Sequence, residues 1–178
     1  MKLAKLNADD LHWVAARMRR RDREEIFATR WDDDTDRLVD DIMRGGEFGF
    51  VAGSDDGVPI AAFGAVPVWP GVWEMWMFAT DRWPEVAMEV TSFGRETFFP
   101  GLEAAGYHRL QCRSLSTHRV AHRWLKHLGA HKESELPNFG RNGETFHLFC
   151  WTRPVHPAHS EASEKPCAPS QTQPQGSR

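Results

Sequence analysis

Residues 72–105, VWEMWMFATDRWPEVAMEVTSFGRETFFPGLEAA, hold the clearest structural signal in the chain. The first part is almost continuously apolar and predicts a strand, Val72 to Thr80, that is covered on both faces. The second part predicts the longest helix, Pro84 to Ala105, because proline is tolerated in the first turn of a helix. A buried strand followed directly by a long helix is typical of an α/β domain.

The residues before this stretch predict further strands and helices. Val58 to Val68 is a long apolar strand that turns back at residues 69–71, and Phe48 to Ala52 precedes it through a Ser-Asp-Asp-Gly turn at residues 54–57. Lys2 to Leu6 alternates as a short strand does. Helical segments are expected between these strands: one capped by Asn7 or Asp9, one around Ile26 and Phe27, and one from Thr35 that stops at Gly45-Gly46.

The residues after this stretch continue the same alternation. Arg109 to Leu115 predicts a strand, and Thr117 to Leu128 predicts a helix that Gly129 ends. The expected buried stripe of that helix is Val120, Ala121, Trp124, Leu125 and Leu128. Lys132 to Leu136 and Glu144 to Thr152 predict a final hairpin around Asn142-Gly143. The predicted order is β-α-α-β-β-β-α-β-α-β-β, with a mixed central sheet and helices on both faces.

Composition excludes several classes of function. The chain has 178 residues, with 22 Lys and Arg against 25 Asp and Glu, and this balance argues against a protein built to bind nucleic acid. No apolar run reaches the roughly 20 residues of a membrane span. Three cysteines are too few and too scattered for a disulfide framework or a zinc site, so we expect a reducing cytoplasm. Residues 1–153 form the expected domain, and residues 154–178, rich in Pro, Ser and Gln, predict a disordered tail.

The predicted order resembles the fold of the GNAT superfamily, the acetyl-CoA-dependent N-acetyltransferases, over nearly all of residues 1–152. GNAT enzymes carry a Q/R-x-x-G-x-G/A loop before the long helix, and Arg82-Trp83-Pro84-Glu85-Val86-Ala87 is similar to it. Such a loop lets backbone N–H groups at a helix N-terminus approach the pyrophosphate of coenzyme A. Glu85 departs from the pattern, because it replaces a glycine with a bulky anion. The same segment also fits a plain helix start capped by Asp81 and Glu85.

A second resemblance lies at residues 117–130, THRVAHRWLKHLGA. It is similar to the GNAT pattern N-x-x-A-x-x-x-Y-x-x-x-G-F, in which Ala121 and Gly129 match. His118 takes the place of the asparagine, and Leu125 that of the tyrosine that commonly protonates the departing thiolate. The segment WPGVWEMW at residues 69–76, with Gly129-Ala130 and Gly143-Glu144, also resembles GNAT-like proteins of tailed bacteriophages, of the internal virion protein type.

These resemblances imply an acetyl-CoA-dependent N-acetyltransferase, with acetyl-CoA as cosubstrate and a small-molecule or protein amine as acceptor. Glu74 is the only carboxylate within its strand, and its apolar neighbours predict a raised pKa that suits a general base. The residues implied as proton donors are Ser116, Thr117 and His118. The residues implied to hold acetyl-CoA are Phe78, Ala79, Thr80, Arg82, Trp83, Glu85, Val86 and Ala87.

Other interpretations stay open. A non-catalytic GNAT-fold protein of the phage virion or of host interaction would explain Glu85 and Leu125, and would place the chain in the virion with virion proteins as partners. A homodimer through the C-terminal strands is also open. His118 and His122 share a helix face as metal ligands do, but no third ligand follows at a telling spacing, and a solvated basic face with Arg119, Arg123 and Lys126 is the simpler interpretation. The arginines of residues 17–23 predict an exposed helix junction.

Overall fold

The computed structural model describes residues 1–45 and 48–155 as a single seven-stranded sheet with helices on both faces. The predicted tail, residues 154–178, therefore lies outside the described residues from residue 156 onwards. The strands are β1 (Lys2–Lys5), β2 (Phe48–Gly53), β3 (Pro59–Trp69), β4 (Val72–Ala79), β5 (Arg109–Leu115), β6 (His131–Leu136) and β7 (Phe146–Thr152). The helices are α1 (Ala8–Ala16), α2 (Arg20–Phe27), α3 (Thr35–Gly45), α4 (Ala87–Phe93), α5 (Phe99–Ala104) and α6 (Arg119–His127).

The strands lie in the order β1-β2-β3-β4-β5-β7-β6, and β4 and β5 are the one parallel pair among them. The helical run between β4 and β5 makes the crossover that a parallel pair requires. This arrangement confirms the predicted α/β class and mixed sheet. Three helices separate β1 from β2, which matches the three helical segments predicted there, although the predicted order β-α-α-β counts only two.

Two cores lie on opposite faces of the sheet. On one face, α1 to α3 bury Leu11, Val14, Leu38, Val39 and Phe78. On the other face, α4 to α6 bury Val86, Val90, Leu102, Leu110, Leu125 and Phe149. Within the described residues no helix has both the length and the apolar character needed to cross a bilayer.

The long helix predicted from Pro84 to Ala105 is interrupted. A single 3₁₀ turn, Trp83–Glu85, precedes α4, and a wider turn over Gly94–Phe98 separates α4 from α5. In that turn the N–H of Phe99 donates to the carbonyl of Gly94, five residues back. Pro100 has no N–H to donate and its ring crowds the preceding turn, so a wider turn accommodates it.

Candidate active site

A cleft opens where β4 and β5 diverge. The two strands pair only from Val72 with Arg109 to Glu74 with Gln111, and the register does not continue beyond this point. The residues that line the cleft come from β4, β5, β7, α2 and α6 and from the segments next to them: Arg19, Asp22, Glu25, Ile26, Thr29, Glu74, Met75, Trp76, Met77, Trp83, Cys112, Arg113, Ser114, His118, Val120, Ala121, Trp124, Leu125 and Phe146. The parallel pairing thus ends in a cavity whose lining includes charged side chains from α2, β4 and β5.

Helix α2 spans the wide end of the cleft and binds both strands. The backbone N–H of Ala79 on β4 donates to the carboxylate of Asp22 at 2.8 Å. The backbone N–H of Leu115 on β5 donates to the carboxylate of Glu25 at 2.7 Å. Asp22 and Glu25 are three residues apart on α2 and so share one helix face. Each therefore satisfies a strand amide that the missing β4–β5 pairing leaves without a strand partner.

His118 lies between these two carboxylates. Its side chain is 5 % exposed, with Nδ1 at 3.1 Å from Glu25 Oε2 and Nε2 at 3.8 Å from Asp22 Oδ1. The hydroxyl of Ser114 donates to the same Glu25 oxygen at 2.8 Å. Because an ionised carboxylate only accepts hydrogen bonds, Nδ1 carries the proton in the contact with Glu25, and in the neutral ring Nε2, which faces Asp22, is the atom with the lone pair. Glu25 thus fixes the orientation and the tautomer of the ring.

Asp22 is a buried acid, 3 % exposed. Burial raises the pKa of its carboxyl above the ordinary value, and the neighbouring Arg19 and the amide of Ala79 offset part of this effect. The Arg19 Nε lies 2.8 Å from Asp22 Oδ1, so the charge is paired within the cleft wall. A buried acid with one charged partner is a common feature of functional sites.

Glu74 lies in the cleft, but its surroundings are polar rather than apolar. Arg113 donates to Glu74 Oε1 from Nε at 2.9 Å and from a terminal nitrogen at 2.6 Å. Gln111 donates to Glu74 Oε2 at 3.0 Å. The predicted apolar environment is therefore wrong, because β5 places an arginine and an amide opposite the acid and both bind its carboxylate.

Tryptophans form the apolar wall of the cleft. The ring of Trp83 meets Trp124 of α6 edge to face, with centroids 5.7 Å apart. The guanidinium of Arg19 lies 5.8 Å from the centre of the Trp83 ring. Trp124 is held by a hydrogen bond from its Nε1 to Thr91 Oγ1 at 2.9 Å. Aromatic faces beside carboxylates form a wall that suits a ligand with an apolar body and a cationic end.

The segment 82–87 starts the helical run beside the cleft. Arg82 binds the Glu85 carboxylate through Nε at 2.8 Å and a terminal nitrogen at 2.7 Å, so the two charges offset each other. Arg82 lowers the pKa of Glu85, and this carboxyl is ionised near neutral pH. Helix α4 begins at Ala87 without a side-chain cap. Val86 is buried in the core, 1 % exposed, and does not face a ligand.

Three predicted site residues, two at the end of β4 and one directly after it, are buried. Phe78 and Ala79 are fully buried and Thr80 nearly so. Both main-chain groups of Ala79 already have partners, because its N–H donates to Asp22 and its carbonyl accepts from the N–H of Arg19 at 2.8 Å. The Thr80 N–H donates to the carbonyl of Ile60. In this conformation Ala79 has no free group for the pantetheine arm.

His118 and His122 are not part of a solvated basic face, because His118 is buried and His122 is half-buried. His118 is buried between acids, and the ring of His122 lies 4.9 Å from that of His147 and 5.1 Å from that of Phe149. Burial, followed by the neighbouring His147, lowers the pKa of His122. Arg119, Arg123 and Lys126 are exposed as predicted, but Val120 is exposed at the cleft mouth instead of lying in the core.

Of the three proton donors predicted from the sequence, His118 lines the cleft, whereas Ser116 and Thr117 do not; Ser116 donates its main-chain N–H to the carbonyl of Thr145. Sequence reasoning missed Asp22, Glu25 and Ser114. The acids belong to a charged stretch that predicts only an exposed junction. The one signal for them is their spacing, because two acids three residues apart share a helix face.

No protein-family model and no curated protein matches this sequence. Solved structures match it as folds. Ard1 from Thermoplasma volcanium has a TM-score of 0.66 at 15 % identity, covering 85 % of this chain and 96 % of that chain. The ribosomal-protein-S18-alanine N-acetyltransferase from Escherichia coli has a TM-score of 0.63 at 12 % identity, covering 89 % and 97 %. Aminoglycoside 6'-acetyltransferase type Ii has a TM-score of 0.64 at 16 % identity, covering 86 % and 100 %. A match to an acetyltransferase of the GNAT family from Bacillus anthracis, with a TM-score of 0.60 at 11 % identity over 84 % and 93 %, identifies the fold as the GNAT fold.

Proposed function

We propose that this chain is an N-acetyltransferase that uses acetyl-CoA as cosubstrate and binds its acceptor amine in the cleft between β4 and β5. The observation that carries the proposal is the Glu25–His118 pair, which lies in that cleft with Nε2 left as a base. Structures with the same fold are acetyltransferases of small molecules and of protein amines, which supports the reaction class.

The reaction needs a base, because an alkylamine has a pKa of about 10 and arrives as a cation. Nε2 of His118 takes a proton from the bound ammonium, and the free amine attacks the thioester carbonyl carbon. The C–S bond then breaks, the imidazolium returns its proton to the departing thiolate, and the acetylated nitrogen releases its remaining extra proton to solvent to give the neutral amide. In this scheme His118 is both the base and the acid. The reaction therefore does not need the tyrosine that the GNAT pattern has at the position of Leu125.

We expect acetyl-CoA to bind along the β4 edge at Met75–Met77, because the β4–β5 pairing has ended there and leaves this edge open; the resemblance implied Phe78 to Thr80. Its pyrophosphate is received by the uncapped start of α4 at Ala87, where the helix dipole favours an anion. The Arg82 partner offsets the charge of Glu85 at this end. The acceptor is a primary amine with an apolar body, because tryptophans and carboxylates line the same cleft.

The test is acetyl transfer by the full chain. It is incubated with acetyl-CoA and a panel of amines: small alkylamines, aromatic amines and peptides with a free N-terminus. Acetylated product is detected by mass spectrometry, with His118→Gln as the matched control. We expect product from at least one apolar amine and little from the control. A folded chain that acetylates none of the panel and does not bind acetyl-CoA would contradict the proposal.

A further inference from the structure

Three side chains of mixed chemistry meet on the β6–β7 hairpin, away from the lining of the cleft. They are His131, Glu133 and Cys150, whose ligand atoms all lie within 4.8 Å of one another. The closest pair is Cys150 Sγ and His131 Nε2, 3.0 Å apart. Cys150 is fully buried, and His131 and Glu133 are exposed.

The pairing of β6 with β7 brings these residues together. His131 lies directly opposite Cys150 in the register, and this pairing joins residues 19 positions apart in the sequence. The register shifts between Lys132 and Ser134, so Glu133 is an extra residue opposite no partner. The irregularity turns its carboxylate toward the other two side chains, and β-bulges often reorient a side chain in this way.

We propose that His131, Glu133 and Cys150 bind a Zn²⁺ ion. An imidazole nitrogen, a carboxylate oxygen and a thiolate are the ligand types that zinc takes in proteins. Ligand atoms around a tetrahedral zinc are about 3.4–3.6 Å apart. Small side-chain rotations are therefore enough to bring the three ligand atoms, which lie within 4.8 Å of one another, to the distances that a bound zinc requires. On binding, the thiol proton of Cys150 passes to solvent, and Sγ coordinates as the thiolate.

The carboxylate is already oriented by a second side chain. Arg109 of β5 binds the two oxygens of Glu133 with its terminal nitrogens, one of them at 3.0 Å. The Nε of Arg109 donates to Gln111 Oε1 at 2.7 Å, and Gln111 in turn donates to Glu74 in the cleft. Carboxylates that bind metals are held by such outer partners. One Glu133 oxygen can turn to the metal while the other keeps Arg109.

Three protein ligands leave a fourth tetrahedral position for water or another molecule. The preference for zinc over magnesium or calcium follows from the thiolate and the imidazole, because those two cations prefer oxygen ligands. The ion would join β6 to β7 and so stabilise the folded hairpin against the unfolded chain. This proposal does not rest on the acetyltransferase reaction, because none of the three ligands lines the cleft.

The experiment measures zinc binding by the full chain after chelation and removal of metal. Calorimetry with ZnCl₂ gives stoichiometry and affinity, and Co²⁺ substitution reports a thiolate ligand through its sulfur-to-metal charge-transfer absorption. We expect one ion per chain with a Kd at or below about 1 µM. His131→Ala and Cys150→Ser should each weaken binding by more than the roughly tenfold that loss of an outer partner costs.

Cys167→Ser is the matched control, because it removes the cysteine of the predicted tail and leaves the cluster intact. Circular dichroism checks that each variant is folded. If Cys150→Ser does not fold, zinc binding by His131→Ala and Glu133→Gln, whose altered residues are exposed, tests the proposal instead. Absence of zinc binding at micromolar concentration would overturn the proposal. So would binding that His131→Ala and Cys150→Ser leave unchanged, or binding that Cys167→Ser abolishes.

Discussion

At the scale of single residues, the proposed chemistry depends on His118 and on the carboxylate that orients it. Nδ1 of His118 is committed to Glu25 at 3.1 Å, while Glu74 is bonded to Arg113 and Gln111. These contacts distinguish the two candidates for the general base, His118 and Glu74. Nε2 of His118 lies 3.8 Å from the nearest acid oxygen, whereas both oxygens of the Glu74 carboxylate already accept hydrogen bonds.

A pair of substitutions separates the two bases. His118→Gln should lower kcat by about 10²–10⁴-fold, the range for loss of a general acid or base, with the KM for acetyl-CoA roughly unchanged. Glu74→Gln should lower kcat by less than about tenfold, because it removes an ion pair at the edge of the cleft rather than the proton acceptor. Steady-state kinetics at saturating acetyl-CoA checks both. A larger loss for Glu74→Gln than for His118→Gln would return the role of base to Glu74, as the sequence alone predicts.

Asp22 gives a dependence of stability on pH. Burial raises the pKa of its carboxyl in the folded chain, so the folded state binds this proton more tightly than the unfolded state does. The contribution of Asp22 to stability is therefore full below the ordinary value of 3.8 and is lost as pH rises through the raised pKa. Asp22→Asn removes this titration. The free energy of unfolding of the variant, relative to the natural chain, should rise between about pH 4 and pH 7 in urea titrations. A difference that stays constant over this range would contradict the raised pKa.

At the scale of elements, the close approach of β2, β3 and β4 depends on Gly64. A Cβ at this position would lie 2.5 Å from the carbonyl oxygen of Phe48 and 2.9 Å from Trp76 Cζ2. Backbone atoms of a central strand cannot give way easily, so Gly64→Ala should destabilise the chain by about 1–3 kcal/mol.

Gly101→Ala in α5 is the matched control for Gly64→Ala. A Cβ there meets only Phe48 Cε1, at 3.8 Å, an ordinary contact. Alanine also favours a helix interior by about 0.5–1 kcal/mol, so this variant should be neutral or slightly more stable. Thermal and urea unfolding of both variants checks the comparison. Equal losses at the two positions would show that β3 does not pack as tightly as the structure has it.

The elements themselves were largely predictable, because apolar patterning and turn residues mark them directly. The strand Arg109–Leu115 is confirmed to the residue, the Asn7 cap is confirmed by its bond from the N–H of Asp10, and Gly129 ends α6 with a positive φ. The interruption of the long helix was missed, although Pro100 is a visible cause.

The candidate site was predictable only in part. Glu74 and His118 follow from their positions in recognised segments, and both line the cleft. Their partners do not follow, because Glu25 and Arg113 are far from them in sequence and only tertiary packing sets which charges meet. Asp22 and Glu25 belong to a segment that predicts an exposed face, since composition alone cannot show that α2 crosses the gap between β4 and β5.

At the scale of the whole molecule, the GNAT fold creates the cleft and α2 partly fills it. The parallel pairing of β4 with β5 ends after Glu74 and Gln111, and α2 binds an amide from each diverging strand. We expect that acetyl-CoA nevertheless enters this cleft along Met75–Met77 and leaves the Asp22–Ala79 contact in place.

Calorimetric titration of the full chain with acetyl-CoA, with desulfo-CoA as a companion ligand, tests that claim most directly. We expect one binding site of micromolar affinity for both ligands, and a similar affinity in His118→Gln. No binding of either ligand by a folded chain at millimolar concentration would contradict it.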